Sequence, residues 1–230
     1  AGQIAKMVSL KSSIIQAYTH ASFADPSIEI AYEYEGLYVY YRPSRLQGLL
    51  IGDQIVAING MNYNGLTHQE FRQLAYQEEV VFTIKREKNG QISYETFEYI
   101  YHEDDPFMIF YPNYKILSAA PSFELPGLDG IIGGPSGGMV QTLSIYASLL
   151  KLNIGDIKIA GTGTIEMDGS IGRIGGIEQK LYTGIYQKID MFFMPKSHEN
   201  EIPNHSFPFD IVMVSTIEEA VQALNERIYE

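Results

Sequence analysis

Two residues have the type and surroundings needed for nucleophilic catalysis, and the first of them is Ser136. It lies in the glycine-rich run Gly133–Gly138, which leads into apolar residues at helical spacing. Glycines expose the main chain around a serine, so a substrate carbonyl can approach closely. The first N–H groups of a helix that begins here, with the positive end of its dipole, could stabilise an oxyanion. The pattern therefore indicates a nucleophilic serine.

The same glycine-rich run allows two other interpretations. Ser136 could simply cap the N-terminus of the following helix, because serine is a favoured capping residue. The loop could also cradle a phosphate, but no lysine follows the glycines as a Walker loop requires. The capping interpretation therefore stays open at this point, and the phosphate cradle is disfavoured.

The second candidate is Lys180, near the start of a predicted helix. Ile177, Leu181 and Ile185 recur at helical spacing and form its apolar face. Lys180 follows Ile177 by three positions, so its side chain lies at the edge of that face. Partial loss of water lowers the pKa of a lysine and makes its neutral amine available as a base.

Composition excludes several classes of function. The formal net charge is −12, which argues against a nucleic-acid partner, since phosphate binding needs clustered Lys and Arg. With 45% hydrophobic and 19% charged residues the chain is predicted to be globular. The chain has no cysteine, so disulfides and thiol catalysis are excluded. We expect no metal site and no cofactor, and interpret the acidic residues 103–105 as a solvated hinge.

Three segments follow from the change of pattern along the chain. Residues 1–28 form a helical segment, with the helix over 1–24 ended by Asp25-Pro26. Residues 29–102 show short strands and turns and predict a small β domain. Residues 103–230 alternate strands and helices and predict a mixed α/β domain. The fold class is therefore α+β.

Within the C-terminal segment the apolar periodicity predicts individual elements. The predicted helices cover residues 137–152, 177–188 and 217–227. The predicted strands include residues 157–160, 164–167 and 191–194.

Residues 29–102 resemble a PDZ domain. The resemblance rests on Leu49–Gly60, in which Gly-Asp precedes an apolar strand and an Asn-Gly turn, as in bacterial PDZ domains. It implies that a peptide adds as a strand beside Leu37–Tyr41, against a helix that carries His68. The peptide-binding residues it implies are Leu37, Tyr38, Val39 and His68. The Pro43–Gly48 stretch replaces the small-residue step usual in exported peptidases.

Four ordered motifs in residues 107–220 resemble the signature of the Lon peptidases. They are Gly-Pro-Ser-Gly-Gly at 134–138, Thr-Gly at 162–163, Gly-Gly-Ile at 175–177 and Lys180. The serine-to-lysine spacing is also close to that family's.

The Lon resemblance implies a role for each matching residue. Ser136 is the nucleophile, Lys180 the general base and Thr162 a hydroxyl that orients the lysine amine. Gly134, Pro135 and Gly137 surround the oxyanion and the substrate main chain. Two features depart from the family: Gly137 replaces the usual Ala, and Gly133 and Thr164 stand where ATP-dependent members carry acids.

A PDZ-like domain followed by a Lon-like domain, without a Walker motif, is similar to the YlbL/SepM group of peptidases. This resemblance implies an ATP-independent serine endopeptidase that acts on peptides or exposed protein segments. It also implies a membrane-anchored protein at the outer face of a Gram-positive cell, with an anchor missing from this chain. The chain begins with Ala-Gly, so we expect a fragment. Oligomerisation is left open.

Two rival functions remain from the sequence. Gly134-x-Ser136-x-Gly138 also satisfies the nucleophile elbow of α/β-hydrolases, and Asp190 with His198 or His205 follows in that fold's order. The histidines are predicted to be surface residues of the loop 196–208. The second rival is a non-catalytic PDZ adaptor with a degenerate peptidase domain.

Overall fold

The computed structural model describes residues 2–62, 73, 79–100, 109–125 and 135–229. Its contacts divide the chain into two compact units. Unit 1 consists of Ala1–Val8 and Tyr32–Lys115, and unit 2 of Ser9–Ala31 and Ile116–Glu230. None of the described helices is both long enough and apolar enough to cross a lipid bilayer.

This division differs from the three segments predicted from the sequence. Helix α1 (Gly2–Ala24) confirms the predicted helix over 1–24. Most of it is counted with unit 2, because Ile14, Tyr18 and Ala21 are buried in that unit's core. The predicted boundary at 102/103 and the hinge at 103–105 lie outside the described residues and stay predictions.

Unit 1 is built on a six-stranded sheet with the order β5-β4-β2-β1-β6, in which β3 pairs with β2. The strands are β1 (Glu29–Tyr41), β2 (Gln54–Ile58), β3 (Met61–Asn62), β4 (Val80–Lys88), β5 (Gln91–Tyr99) and β6 (Ile109–Ala120). Alternate residues of β4 are buried, as expected for a sheet with one solvated face. The core on the other face includes Leu37, Val39, Ile55, Phe82 and Ile84.

Strand β1, predicted to receive a peptide, has neighbours on both sides in this sheet. It lies between β2 and β6, and Tyr40 packs edge-on against Tyr111 of β6 with ring centroids 4.9 Å apart. Leu37 and Val39 are buried in the core. A peptide that added beside β1 would have to displace one of these strands, since strand addition needs an unpaired edge. His68 lies outside the described residues.

A buried ion pair supports the loop that precedes β2. The Asp53 side chain, 2% exposed, accepts hydrogen bonds from Arg86 Nε at 2.7 Å and Nη2 at 2.6 Å. It also accepts the N–H of Leu50 at 2.7 Å. Asp53 therefore joins the Gly-Asp stretch to β4, and three donors compensate its lost hydration.

Unit 2 is built on a three-stranded parallel sheet with the order β7-β8-β9. The strands are β7 (Ile159–Gly161), β8 (Met191–Pro195) and β9 (Asp210–Val214). The helices that follow α1 are α2 (Gly138–Leu149), α3 (Ile177–Gln187) and α4 (Ile217–Tyr229). These elements agree with the predictions to within a few residues.

Strand β8 separates the two hydrophobic cores of unit 2. All its residues are buried, and successive side chains of a strand point to opposite faces. Met191 and Phe193 join the core formed with α1, α2 and α4, whereas Phe192 and Met194 join the core formed with α3. The helices therefore cover both faces of the sheet, as parallel strands require.

The strand predicted over residues 164–167 is wrong. Glu166 N–H bonds Ser170 O at 3.0 Å and Gly169 N–H bonds Glu166 O at 3.0 Å, so the chain reverses direction there. Gly169, with a φ of +82°, permits the reversal. The segment thus forms a tight turn after Thr164.

We expect Asp53→Ala to lower the free energy of unfolding by about 3–5 kcal/mol, because it leaves the Arg86 charge without its main partner. Glu95→Ala removes the exposed partner of the same arginine and should cost less than about 1 kcal/mol. Urea denaturation followed by circular dichroism compares the two variants. Equal midpoints would show that the Asp53 pair does not stabilise unit 1.

Candidate active site

Ser136 lies in a single turn of 3-10 helix, Pro135–Gly137, directly before α2. Its side chain is half-buried. The N-cap of α2 is Gly137, and no side chain caps the helix. The interpretation of Ser136 as a simple capping residue is therefore wrong, because the position belongs to glycine.

The carbonyl of Ser136 is held by two donors from the segment after β7. Gly163 N–H donates at 2.8 Å, and the hydroxyl of Thr162 donates at 3.0 Å. Met139 N–H donates in return to the carbonyl of Gly163 at 3.1 Å. Gly163 has a φ of +152°, and a Cβ there would lie 2.8 Å from Ile171 Cγ2. This close approach requires a glycine and fixes the turn against residues 162–163.

Thr162, predicted to orient the lysine amine, contacts the serine turn directly. Its side chain is 2% exposed, and its single hydroxyl proton is used by the Ser136 carbonyl. Towards an amine, the hydroxyl can therefore act only as an acceptor.

Lys180 lies in the first turns of α3, which begins after Gly176, a residue with a φ of +71°. Ile177, Leu181 and Gly184 are the buried residues of this helix, and Lys180 is half-buried at their edge, as the periodicity predicted. Its amine donates to the carbonyl of Gly175 at 3.2 Å. Burial lowers the pKa of Lys180 below the ordinary lysine value.

A cleft of about 340 Å³ brings the two segments together. It is lined by Pro135, Ser136, Thr164, Arg173, Ile174 and Gly175. The residue that accepts the lysine hydrogen bond therefore lines the same cleft as the serine. Gly137 follows Ser136 in the turn, and Gly134 lies outside the described residues.

A larger groove of about 620 Å³ lies elsewhere in unit 2, between α1 and α4. It is lined mainly by aromatic and acidic side chains, with His20 facing Glu218 at 3.6 Å. Its lining contains no serine, threonine or lysine. The groove is larger than the cleft beside Ser136, but the serine lines the cleft, so volume alone does not identify the candidate active site.

Sequence reasoning missed the polar cluster that braces the lysine side of the cleft. His198 is only 1% exposed, which corrects its prediction as a surface residue. Its Nε2 accepts the N–H of Ile174 at 2.9 Å, and its Nδ1 lies 3.1 Å from the Glu201 carboxylate. Arg173 donates to the same carboxylate and to the carbonyl of Ser197. The hydrogen bond from His198, followed by Arg173, lowers the pKa of Glu201.

These contacts also weigh against the α/β-hydrolase interpretation. Both nitrogens of His198 face groups other than Ser136. Asp190 accepts the N–H of Lys158 at 2.7 Å. His205 is exposed and packs against Tyr182 and Phe207. Among the described hydrogen bonds, none links either histidine to Asp190 or to Ser136.

Comparisons with known proteins give a partial match. Residues 128–226 match the family model of the Lon protease (S16) C-terminal proteolytic domain. A Lon protease of Mycoplasmopsis agalactiae is 30% identical over 69 residues, which are 30% of this chain and 7% of that protein. A Lon protease of Methanosarcina barkeri is 30% identical over 122 residues, 47% of this chain and 15% of that protein.

The matched region contains the cleft, α2, α3 and the three parallel strands. The chain spans less than a sixth of the length of these two relatives. Residues 128–226 are thus similar to the C-terminal proteolytic domain of Lon proteases.

Proposed function

We propose that this chain is an ATP-independent serine endopeptidase in which Ser136 is the nucleophile and Lys180 the general base. One observation carries the proposal: the 3-10 turn that holds Ser136, directly before α2, shares a cleft with the segment that binds the partly desolvated amine of Lys180. The similarity of residues 128–226 to a Lon proteolytic domain supports the same reaction class. The substrates are peptides or exposed protein segments.

The environment of Lys180 suits a base that must be neutral. Burial disfavours the ammonium form, and we find no carboxylate paired with this amine among the described ion pairs. The carbonyl of Gly175 accepts one N–H and leaves the lone pair of the neutral amine available. Lys180 therefore takes the proton of Ser136 without the help of a histidine.

The start of α2 supplies the donors for an oxyanion. The first N–H groups of a helix have no partners within the helix, and the N-cap residue of α2, Gly137, makes no side-chain capping bond to them. Met139 N–H already donates to the carbonyl of Gly163, so we assign this role to the N–H groups of Ser136 and Gly137. Pro135 lacks an N–H and can only contact the substrate main chain. Gly134 is assigned to the same surface.

The reaction proceeds through an acyl-enzyme. Lys180 accepts the hydroxyl proton as Ser136 Oγ bonds to the scissile carbonyl carbon, and the carbonyl oxygen becomes the oxyanion. When the intermediate collapses, the C–N bond breaks and Lys180 gives its proton to the leaving amine. Water then attacks the ester while Lys180 accepts a proton, which finally returns to Ser136.

Unit 1 is proposed to bind peptides and present them to the peptidase. The PDZ resemblance, which rests on Gly52-Asp53 and the strand that follows, supports this peptide-binding role. Gly52 N–H bonds the carbonyl of Val39 at 2.9 Å, and Asp53 folds the loop before β2. Because β6 lies beside β1, binding at Leu37–Tyr41 would require that strand to move.

We expect Ser136→Ala and Lys180→Ala each to lower the peptidase rate by at least about 10³-fold, because the two groups act as a unit and each tenfold is about 1.36 kcal/mol. Lys188→Ala is the matched control, since this lysine lies at the exposed end of the same helix. Peptide-library products are identified by mass spectrometry, and a fluorophosphonate labels the nucleophile.

Cleavage and labelling that persist in Ser136→Ala would remove the proposed nucleophile. A wild-type chain that neither cleaves nor reacts would instead support the non-catalytic adaptor.

The rate should rise with pH through the pKa of Lys180, because only the neutral amine accepts a proton. Burial lowers that pKa, so the rise should lie below the ordinary lysine value of 10.5. The measurement is kcat/KM across neutral and alkaline pH, which reports the ionisation of the unliganded chain. The Lys188→Ala variant should keep the same midpoint, and a profile without such a rise contradicts Lys180 as the base.

A further inference from the structure

Helix α1 carries a stripe of buried polar side chains that the peptidase resemblance does not explain. Ser9, Ser13, Gln16 and His20 recur at three- and four-residue spacing and are all buried. A buried hydroxyl or amide costs free energy unless it finds a partner. The partners of these residues therefore indicate what the stripe does.

These four side chains contact three parts of unit 2. Gln16 Nε2 donates to the carbonyl of Met167 at 2.8 Å, and His20 faces Glu218. Ser13 and Ser9 contact the turn that holds the nucleophile. Two members of the stripe, Ser9 and Ser13, thus connect α1 to the main chain around the proposed active site.

Ser13 makes the central contact. Its side chain is 0% exposed, and its hydroxyl lies 2.9 Å from the carbonyl of Ser9 and 3.0 Å from that of Gly138. The single hydroxyl proton is shared between these two acceptors. Ser9 Oγ lies 3.4 Å from the carbonyl of Pro135. Hydroxyls of α1 therefore contact the carbonyls on both sides of Ser136 and Gly137.

Helix α1 packs closely against this turn at Gly138. A Cβ at Gly138 would lie 2.9 Å from Ser9 Oγ and 2.7 Å from Ile165 Cγ2. A Cβ at Gly137 would meet nothing within 4 Å, in keeping with the Ala that the Lon family carries there. The turn is therefore packed against α1 at Gly138 and open at Gly137.

The turn is held from two sides. On one side, Thr162 and Gly163 bind the carbonyl of Ser136. On the other side, Ser13 binds the carbonyl of Gly138. The bonds to the carbonyl of Ser136 fix the peptide plane that carries the N–H of Gly137, which must face an oxyanion, and such geometry tolerates little displacement. The bond from Ser13, together with one from the Thr142 hydroxyl at 2.8 Å, holds the carbonyl of Gly138 at the start of α2, directly after that plane.

We propose that Ser13, supported by Ser9, is a positioning residue that holds the Ser136 turn in its reactive geometry. The inference rests on the proposed peptidase function and adds to it an element outside residues 128–226, the region that the Lon family model matches. Ser13 touches neither substrate nor the reacting atoms, and it acts through the main chain of Gly138.

The test compares Ser13→Ala and Ser13→Cys with Gln16→Met in the full chain. Cysteine has the same shape as serine with a somewhat larger sulfur in place of the oxygen, and it is a weak donor, so it decides the matter if the alanine variant does not fold. Gln16→Met removes a buried hydrogen bond from the same stripe without touching the serine turn. The readouts are the rate at which a fluorophosphonate labels Ser136, kcat and KM on one peptide, the pH profile and the melting temperature.

We expect both Ser13 variants to be labelled at least about tenfold more slowly and to lose kcat in proportion, as for the loss of one hydrogen bond that positions the transition state. KM and the pH midpoint should not change, because Lys180 is untouched. Gln16→Met should keep the wild-type labelling rate even where its melting temperature falls equally.

A folded Ser13 variant with the wild-type labelling rate, or an equal loss in Gln16→Met, overturns the positioning role. A wild-type chain that is not labelled at Ser136 overturns the proposed function instead, so the two failures are distinguishable.

Discussion

The proposed site depends on the two hydrogen bonds to the carbonyl of Ser136. They come from Thr162 and Gly163, which directly follow β7, the edge strand of the parallel sheet. Since β7 pairs with β8, whose residues are all buried, the serine turn is tied to the buried central strand of the parallel sheet in unit 2. A reactive serine on a flexible glycine loop would have no fixed direction. Here the hydrogen bonds from the residues after β7 fix the orientation of the serine turn. The glycines only allow the two segments to approach closely.

The lysine side of the cleft is built on a different principle. Residues 173–175 have no regular secondary structure, and side chains from the turn after β8 support them. The buried side chain of His198 accepts the N–H of Ile174, and the exposed side chains of Arg173 and Glu201 form an ion pair. Gly175 then presents its carbonyl to the amine of Lys180. The residues that follow β7 therefore support the serine side of the cleft, and the residues that follow β8 support the lysine side.

The sequence predicted the parts of the site that depend on local chemistry. The glycines around Ser136 were sufficient to predict the serine turn. The apolar spacing of Ile177 and Leu181 was sufficient to predict α3 and the partial burial of Lys180. Helix α1 was predicted from the same kind of periodicity. These features depend on residues close together in the chain, so a single sequence contains their signal.

Contacts between distant residues could not be predicted in this way. His198 follows β8 in a polar stretch whose composition predicts exposure to solvent. Its hydrogen-bond partner, the N–H of Ile174, is distant in the sequence, so its burial could not be predicted locally. Ser9 and Ser13, two of the four serines of α1, were a signal, because serine is a poor residue for a helix interior. Nothing in the sequence, however, names Pro135 and Gly138 as their partners. Likewise, the pairing of β6 beside β1 is set by the whole sheet of unit 1 and not by either strand alone.

The most direct test of the account is the distance between Ser136 Oγ and Lys180 Nζ in a crystal structure of the chain with a peptidyl fluorophosphonate bound. We expect a separation of about 2.6–3.2 Å, within hydrogen-bond reach, with the phosphoryl oxygen facing the N–H groups of Ser136 and Gly137. This expectation would be contradicted by a labelled serine whose oxygen lies beyond reach of the amine even through one water molecule, with Lys180 still bound to the carbonyl of Gly175.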